Sequence, residues 1–336
     1  RARHARGSRR TPPVPLTQAR ANRCPIDWTT APGYAPDQPG LHELADYPLE
    51  TLVQYIDWTP FFQTWELAGR YPDILKDPVV GETARSLYRD ARDMLDEIIG
   101  KKWLKARAVF GTFPAAARGD DVIVFADEGR DHVRETLLFL RQQKAQAEGR
   151  PNRCLADFVA PEDSGRPDHI GLFAVTAGLG IERKLAEFEA EHDDYRAILL
   201  KALADRLAEA IAEHLHQRVR REFWGYAADE SLSNTQLIRE KYQGIRPAPG
   251  YPACPDHSEK EKIFSLLEVP ERARISLTSG YAMLPAASVC GYYFAHPESA
   301  YVVLGPVLPD QSEDYARRKN CSLEEVERLL PANVRP

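Results

Sequence analysis

Ile170-Gly171-Leu172-Phe173-Ala174-Val175-Thr176-Ala177-Gly178-Leu179-Gly180 is the stretch on which the fold class turns. A continuous apolar strand ending in Gly-x-Gly resembles the phosphate loop of a dinucleotide-binding or methyltransferase fold. The spacing refuses that reading. No third glycine follows, and Glu182 stands too near to be the ribose-binding acid expected about 20 residues on. Instead a long helical pattern runs from Glu182 to about Arg221, with an apolar stripe through Leu185, Phe188, Tyr195, Leu199, Leu203, Leu207, Ile211 and Leu215. Upstream, residues 82–98 read as a helix, and Ala108–Phe113 and Val122–Ala126 read as strands of a hairpin around Gly119-Asp120-Asp121. Downstream, residues 274–306 read as strands. Strands and helices do not alternate as βαβ units, so the sequence predicts an α+β fold with a mainly antiparallel sheet.

Local signals set the boundaries. Residues 21–48 are rich in Pro, Gly and Asp and are expected to wrap the surface, so that the fold proper starts near Leu49. Leu52, Val53, Tyr55 and Ile56 form a short helical face. Thr59-Pro60 reads as an N-cap with proline at the first helical position, which puts Asp57 at a helix-to-helix joint. Ser233-Asn234-Thr235-Gln236 has capping-box spacing for a helix closed by Gly244, and Ser322-Leu323-Glu324-Glu325 repeats the device.

Composition narrows the function. A chain of 336 residues, 43% hydrophobic and 28% charged, can bury a sizeable core. Its net charge of -6 argues against nucleic acid, whose phosphates need clustered Lys and Arg. No apolar run is long enough to span a membrane. Cys24, Cys154, Cys254, Cys290 and Cys321 are odd in number and far apart, which predicts reduced, mostly buried thiols and a cytoplasmic location. Arg1, Arg3, Arg6, Arg9 and Arg10 precede Pro12-Pro13-Val14-Pro15, so residues 1–20 are expected to be a solvated interdomain linker and 21–336 the domain. A start at Arg rather than Met suits a piece joined to an upstream module.

Glu191-His192-Asp193-Asp194 and the pair His214, His216 offer metal-binding atoms, but positions i and i+2 of a helix face apart, so solvated or capping roles are expected. The segment Ile245-Arg246-Pro247-Ala248-Pro249-Gly250-Tyr251-Pro252-Ala253-Cys254-Pro255 is more informative. Four prolines and a glycine in eleven residues exclude a helix or central strand. Such a loop either merely crosses the surface or holds its polar groups ready for a ligand. As a loop side chain, Arg246 is expected to be exposed and to add little to the core.

At this loop the sequence resembles the C-terminal activation domain of cobalamin-dependent methionine synthase. The resemblance extends over nearly the whole chain. It includes Ile56-Asp57-Trp58-Thr59-Pro60-Phe61-Phe62, Cys154-Leu155-Ala156-Asp157-Phe158-Val159-Ala160-Pro161, His192-Asp193-Asp194-Tyr195, Lys201-Ala202-Leu203-Ala204-Asp205-Arg206-Leu207 and Asp314-Tyr315-Ala316-Arg317-Arg318-Lys319. It implies a C-shaped α+β domain with a large twisted sheet that binds S-adenosylmethionine at Asp57, Glu209, Glu240, Arg246, Ala248, Gly250, Tyr251, Tyr301 and Val302. In that picture Arg246 takes the ligand carboxylate through a planar fork, Asp57 takes the ammonium, and Gly250 lets backbone approach the adenosine. Val302 stands where the family often has a second tyrosine. The resemblance further implies reductive methylation of cob(II)alamin with an electron from flavodoxin or a similar reductase. The family's Asp-x-His-x-x-Gly motif is missing, so cobalamin would come from a neighbouring module. A non-catalytic S-adenosylmethionine-sensing module is the alternative, and a free-standing methyltransferase is opposed by the incomplete glycine loop.

Overall fold

The computed structural model describes residues 12–334. Its centre is a six-stranded antiparallel sheet in the order β4-β3-β2-β5-β8, with β1 also paired to β2. The strands are β1 (Gly40–Tyr47), β2 (Lys105–Arg118), β3 (Asp121–Phe125), β4 (Val133–Leu138), β5 (Asp168–Leu179) and β8 (Ser288–Tyr293). A separate ribbon joins β6 (Ser276–Leu277) to β7 (Met283–Leu284). The long β2 shares one edge between β1, along Ala106–Thr112, and β3, along Ala115–Arg118. Its other edge takes β5. A hairpin does turn at Gly119-Asp120-Asp121, but its arms are Ala115–Arg118 and Asp121–Val124; Ala108–Phe113, expected to be its first arm, pairs with β1 and β5 instead because β2 runs on past it.

The unbroken apolar run of β5 follows from burial on both faces. Phe173 and Val175 enter one core cluster, whereas Leu172 and Ala174 enter another. Helices α4 (Gly81–Gly100) and α6 (Asp194–Arg218) supply the first cluster, α8 (Lys260–Leu267) and α9 (Val269–Ala273) the second. An antiparallel sheet with one wet face would alternate apolar and polar residues, and here the second cover hides that period. The Gly-x-Gly turn is accounted for by packing. A Cβ on Gly178 would lie 2.8 Å from Pro285, and Gly180 has φ +95° with Trp103 O 2.8 Å from any added Cβ. These glycines close a strand onto α5 (Ile181–Ala190).

Several boundaries differ from expectation. The single helix of 182–221 is divided: α5 ends at Ala190, His192 turns left-handed with φ 55°, and Asp193 restarts the chain as N-cap of α6 by accepting the Arg196 N–H. A π-turn, Val219–Phe223, ends it. Strand β1 lies inside the region expected to be irregular, because only one of its edges is paired and most of its side chains stay partly exposed. Thr59 is not the cap of α3 (Trp58–Thr64); Asp57 is. After α2 (Leu49–Leu52) the chain makes one 3-10 turn to reach that joint. The capping box at Ser233 and Gln236 forms, yet α7 (Asn234–Ile238) stops long before Gly244. Residues 294–306, read as strand, leave the sheet after β8.

Residues 1–11 of the expected linker lie outside the described residues. Residues 12–20 pack on the domain through Val14, Leu16 and Ala19, while Pro12, Pro13, Pro15, Thr17 and Gln18 stay exposed as expected. Helix α1 (Leu16–Ala21) buries Leu16 and Ala19, and Arg20 donates to Asp120 at 2.8 Å and to Asp314 of α10 (Pro309–Lys319) at 2.6 Å. Two buried acids and a short apolar face therefore overcome the composition of the segment. Helix α11 (Leu323–Leu329) follows, with Ser322 as its cap.

Candidate functional site

The proline-rich loop runs along the outer edge of β8. Ile245 exchanges both backbone hydrogen bonds with Phe294, and the Pro247 carbonyl accepts the Tyr292 N–H at 2.9 Å. Gly291 makes this approach possible, since a Cβ there would stand 2.5 Å from Pro247 O. Within the loop the Gly250 N–H donates to Cys254 O at 2.8 Å, and the Cys254 thiol donates to Ala248 O at 3.0 Å. Gly250 has φ +95°, and a Cβ on it would sit 2.2 Å from the His257 ring. The sequence thus builds a stiff loop whose few polar groups are already placed.

Between this loop, α6 and residues 301–303 lies a cavity of about 370 Å³. Glu209, Glu240, Arg246, Ala248, Tyr251, Tyr301 and Val302 line it, with Phe173 and Val289 of the sheet as its floor. Seven of the nine sequence-derived residues thus meet at one place. Gly250 is not among these residues; it lines a second cavity of about 470 Å³ with His257 and residues 329–333, and Tyr251, Pro252 and Val303 border both. Asp57 is not among the lining residues; its Oδ1 accepts the Thr59 N–H at 2.9 Å, and its helix α3 packs on α6. Val302 is buried and joins the second core cluster, while Tyr251 and Tyr301 remain partly exposed.

Arg246 differs from the expected free loop side chain. Only 17% of its side chain is exposed, and Nη2 lies 2.8 Å from Glu213 Oε2. Its Nη1 donates to the Tyr242 hydroxyl at 2.5 Å, and its backbone N–H donates to the Tyr301 hydroxyl at 3.2 Å. Burial opposes the guanidinium charge, but Glu213, Tyr242, Tyr301 and Glu209 outweigh it and raise the Arg246 pKa. Across the cavity, desolvation pushes the Glu240 carboxyl above its usual range, Arg246 opposes the shift and Glu213 adds to it. Desolvation likewise raises Tyr301 and Tyr251.

Glu213 and Tyr242 are the side-chain partners of Arg246 that sequence reasoning missed. A signal existed: Glu213 follows Glu209 by four residues on the same helix, which puts the two carboxylates on one face. The two histidines meet different partners. His214 Nδ1 is 2.9 Å from the Tyr47 hydroxyl, and His216 stacks on Tyr293 with centroids 4.9 Å apart.

The chain matches the family model "Vitamin B12 dependent methionine synthase, activation domain" over residues 48–320. It is also similar to a solved structure described as "Crystal Structure of the MetH Reactivation Domain bound to AdoHcy". That likeness has a TM-score of 0.94 and 54% sequence identity, and covers 96% of this chain and 99% of the other. With a family match over most of its length and the same antiparallel core, the chain belongs to the activation-domain family of vitamin B12-dependent methionine synthases.

Proposed function

We propose that this chain binds S-adenosylmethionine in the Arg246 loop cavity and serves as the reactivation module of a cytoplasmic cobalamin-dependent methionine synthase. Its task is to supply the methyl donor for reductive methylation of cob(II)alamin carried by a neighbouring module, with the electron coming from flavodoxin or a similar reductase. The observation that carries this reading is the 54% identity, over nearly the full length, to a reactivation domain bound to AdoHcy. AdoHcy is what S-adenosylmethionine becomes when its methyl group leaves.

The residues present fit such a ligand. A cavity of about 370 Å³ lies within the usual range for small-molecule sites. Glu209 and Glu240 give it negative charge toward a ligand of net positive charge. Arg246 keeps three N–H groups beyond its two side-chain partners and can direct them at a carboxylate. Tyr251 and Tyr301 offer aromatic faces, and Val302 offers an apolar wall. Asp57 keeps one carboxylate oxygen beyond its capping bond, the oxygen this reading assigns to the ammonium. When bound, the ligand supplies a methyl carbon on a positively charged sulfur. Displacement at that carbon moves no proton, so this chain contributes position and charge rather than an acid or base.

Calorimetric titration with S-adenosylmethionine and S-adenosylhomocysteine tests the binding. Mixing the chain with the cobalamin module, a reductant and methyl-labelled S-adenosylmethionine then tests the reaction, with labelled methylcobalamin as the expected product. Absence of binding would overturn the proposal. Tight binding with no methyl transfer would favour a sensing module instead.

A further inference from the structure

We propose that Glu213 is a positioning residue for Arg246, holding its guanidinium together with Tyr242 so that the remaining N–H groups meet the carboxylate of the ligand. This rests on the cavity taking S-adenosylmethionine. Glu213 does not line the cavity; it stands behind Arg246 on α6, where only 9% of its side chain is exposed.

The guanidinium is fixed from two directions. Glu213 Oε2 accepts from Nη2 at 2.8 Å and the Tyr242 hydroxyl accepts from Nη1. Tyr242 is itself immobilised. Arg220 lies 4.0 Å from the centroid of its ring and is fully buried, held by two bonds of 2.7 Å to Glu230. The His216 ring packs against that of Tyr242 in a T-shaped pair, with centroids 5.0 Å apart. Glu230, Arg220, Tyr242, Arg246 and Glu213 therefore form one continuous chain of charge and ring contacts beneath the cavity. The backbone of Arg246 is pinned as well, through Tyr301.

This arrangement matters for affinity because a free arginine must lose rotamer freedom before it can grip a carboxylate. Here the freedom is lost on folding. Among the described residues Glu213 makes its one hydrogen bond, to Arg246, through Oε2.

The test is a cycle of variants and ligands measured by calorimetry. Glu213→Gln keeps the shape and removes the charge. It is expected to weaken S-adenosylmethionine binding by about ten- to a hundredfold, the range for a charge-assisted contact. Its affinity for decarboxylated S-adenosylmethionine, which offers Arg246 nothing to grip, should equal that of the parent. Combined with Arg246→Ala, Glu213→Gln should cost no further affinity. Tyr242→Phe leaves the ring over Arg220 and should weaken only the carboxylate-bearing ligand; it carries the test if Glu213→Gln fails to fold. Equal losses for both ligands would reduce Glu213 to a structural role, and undiminished S-adenosylmethionine binding would overturn the proposal. A parent chain that binds neither ligand would overturn the S-adenosylmethionine reading itself, a different result from the two before it.

Discussion

Asp57 caps helix α3 through Thr59, whose backbone N–H lies 2.9 Å from the Asp57 Oδ1. One residue therefore carries a structural duty that its proposed ligand duty must leave intact. Asparagine caps helices about as well as aspartate. Asp57→Asn should accordingly melt like the parent but bind S-adenosylmethionine about ten- to a hundredfold more weakly, since only the charge is lost. Asp57→Ala should add a stability loss of about 0.5 to 2 kcal/mol. Calorimetric binding and thermal melts on both variants separate the duties, and unchanged affinity in Asp57→Asn would remove this residue from the site.

Arg246 should matter to stability as well as to binding, contrary to its expectation as an exposed loop residue. Arg246→Ala leaves the largely buried Glu213 without its cation, at a cost on the order of 1 to 3 kcal/mol. Arg246→Lys keeps a positive charge but has no planar fork, so its three donors, all on one nitrogen, leave no bidentate pair for a ligand carboxylate once Glu213 and Tyr242 are served. Its stability should lie between parent and Arg246→Ala, and its ligand affinity near that of Arg246→Ala. Parent-like binding by the lysine variant would show that a point charge suffices.

Gly250→Ala should disturb the loop, because it meets both a φ of +95° and the His257 ring. The double variant Gly250→Ala with His257→Ala removes the clash and leaves the backbone strain. It should recover part of the lost affinity, measured by titration. Full recovery would mean that only the ring mattered.

Acid should destabilise the fold through the half-buried His214 and the fully buried His216. Burial lowers His214 to about 4, with Arg218 adding to the shift, and lowers His216 well below its usual value. The folded chain thus resists protons that the unfolded chain takes up near pH 6.5. Stability present above pH 6.5 is lost as pH falls toward about 4. Asp121 and Asp168, pushed up to about 6 by burial, act oppositely: their contribution is present at low pH and is lost as pH rises through about 6. His216→Phe keeps a ring on Tyr293 and removes one resisting imidazole. Its melting temperature should therefore drop less than the parent's between pH 7 and pH 5.

The sequence made some elements plain and hid others for physical reasons. The stripe Leu199, Leu203, Leu207, Ile211 and Leu215 is buried throughout, so helical periodicity located α6. The break before it was hidden because Phe188 is also buried, which lets the stripe run on through the joint, and His192 gives no glycine to mark the left-handed turn. Strand β1 was missed because most of its side chains stay partly exposed and His42 and Glu43 interrupt the apolar alternation. At the candidate site the lining residues came from resemblance, while composition and spacing singled out only the loop. The i,i+4 spacing to Glu209 put Glu213 on the same helix face, but its pairing with Arg246 was hidden because that partner is 33 positions away and nothing local links an acid in a helix to an arginine after a turn.

The proline-rich loop also closes the open margin of the sheet. β8 is the terminal strand, and Ile245 and Pro247 take up hydrogen bonds that would otherwise face outward. An uncovered strand margin is a template for pairing with another chain. Loosening this loop therefore exposes sticky backbone as well as weakening its cavity, and proline, with no N–H to donate, suits a segment that must cover a strand without inviting the next one. Variants that release the loop should thus be found in aggregates, and any small molecule that clamps it should act as a solubiliser during folding.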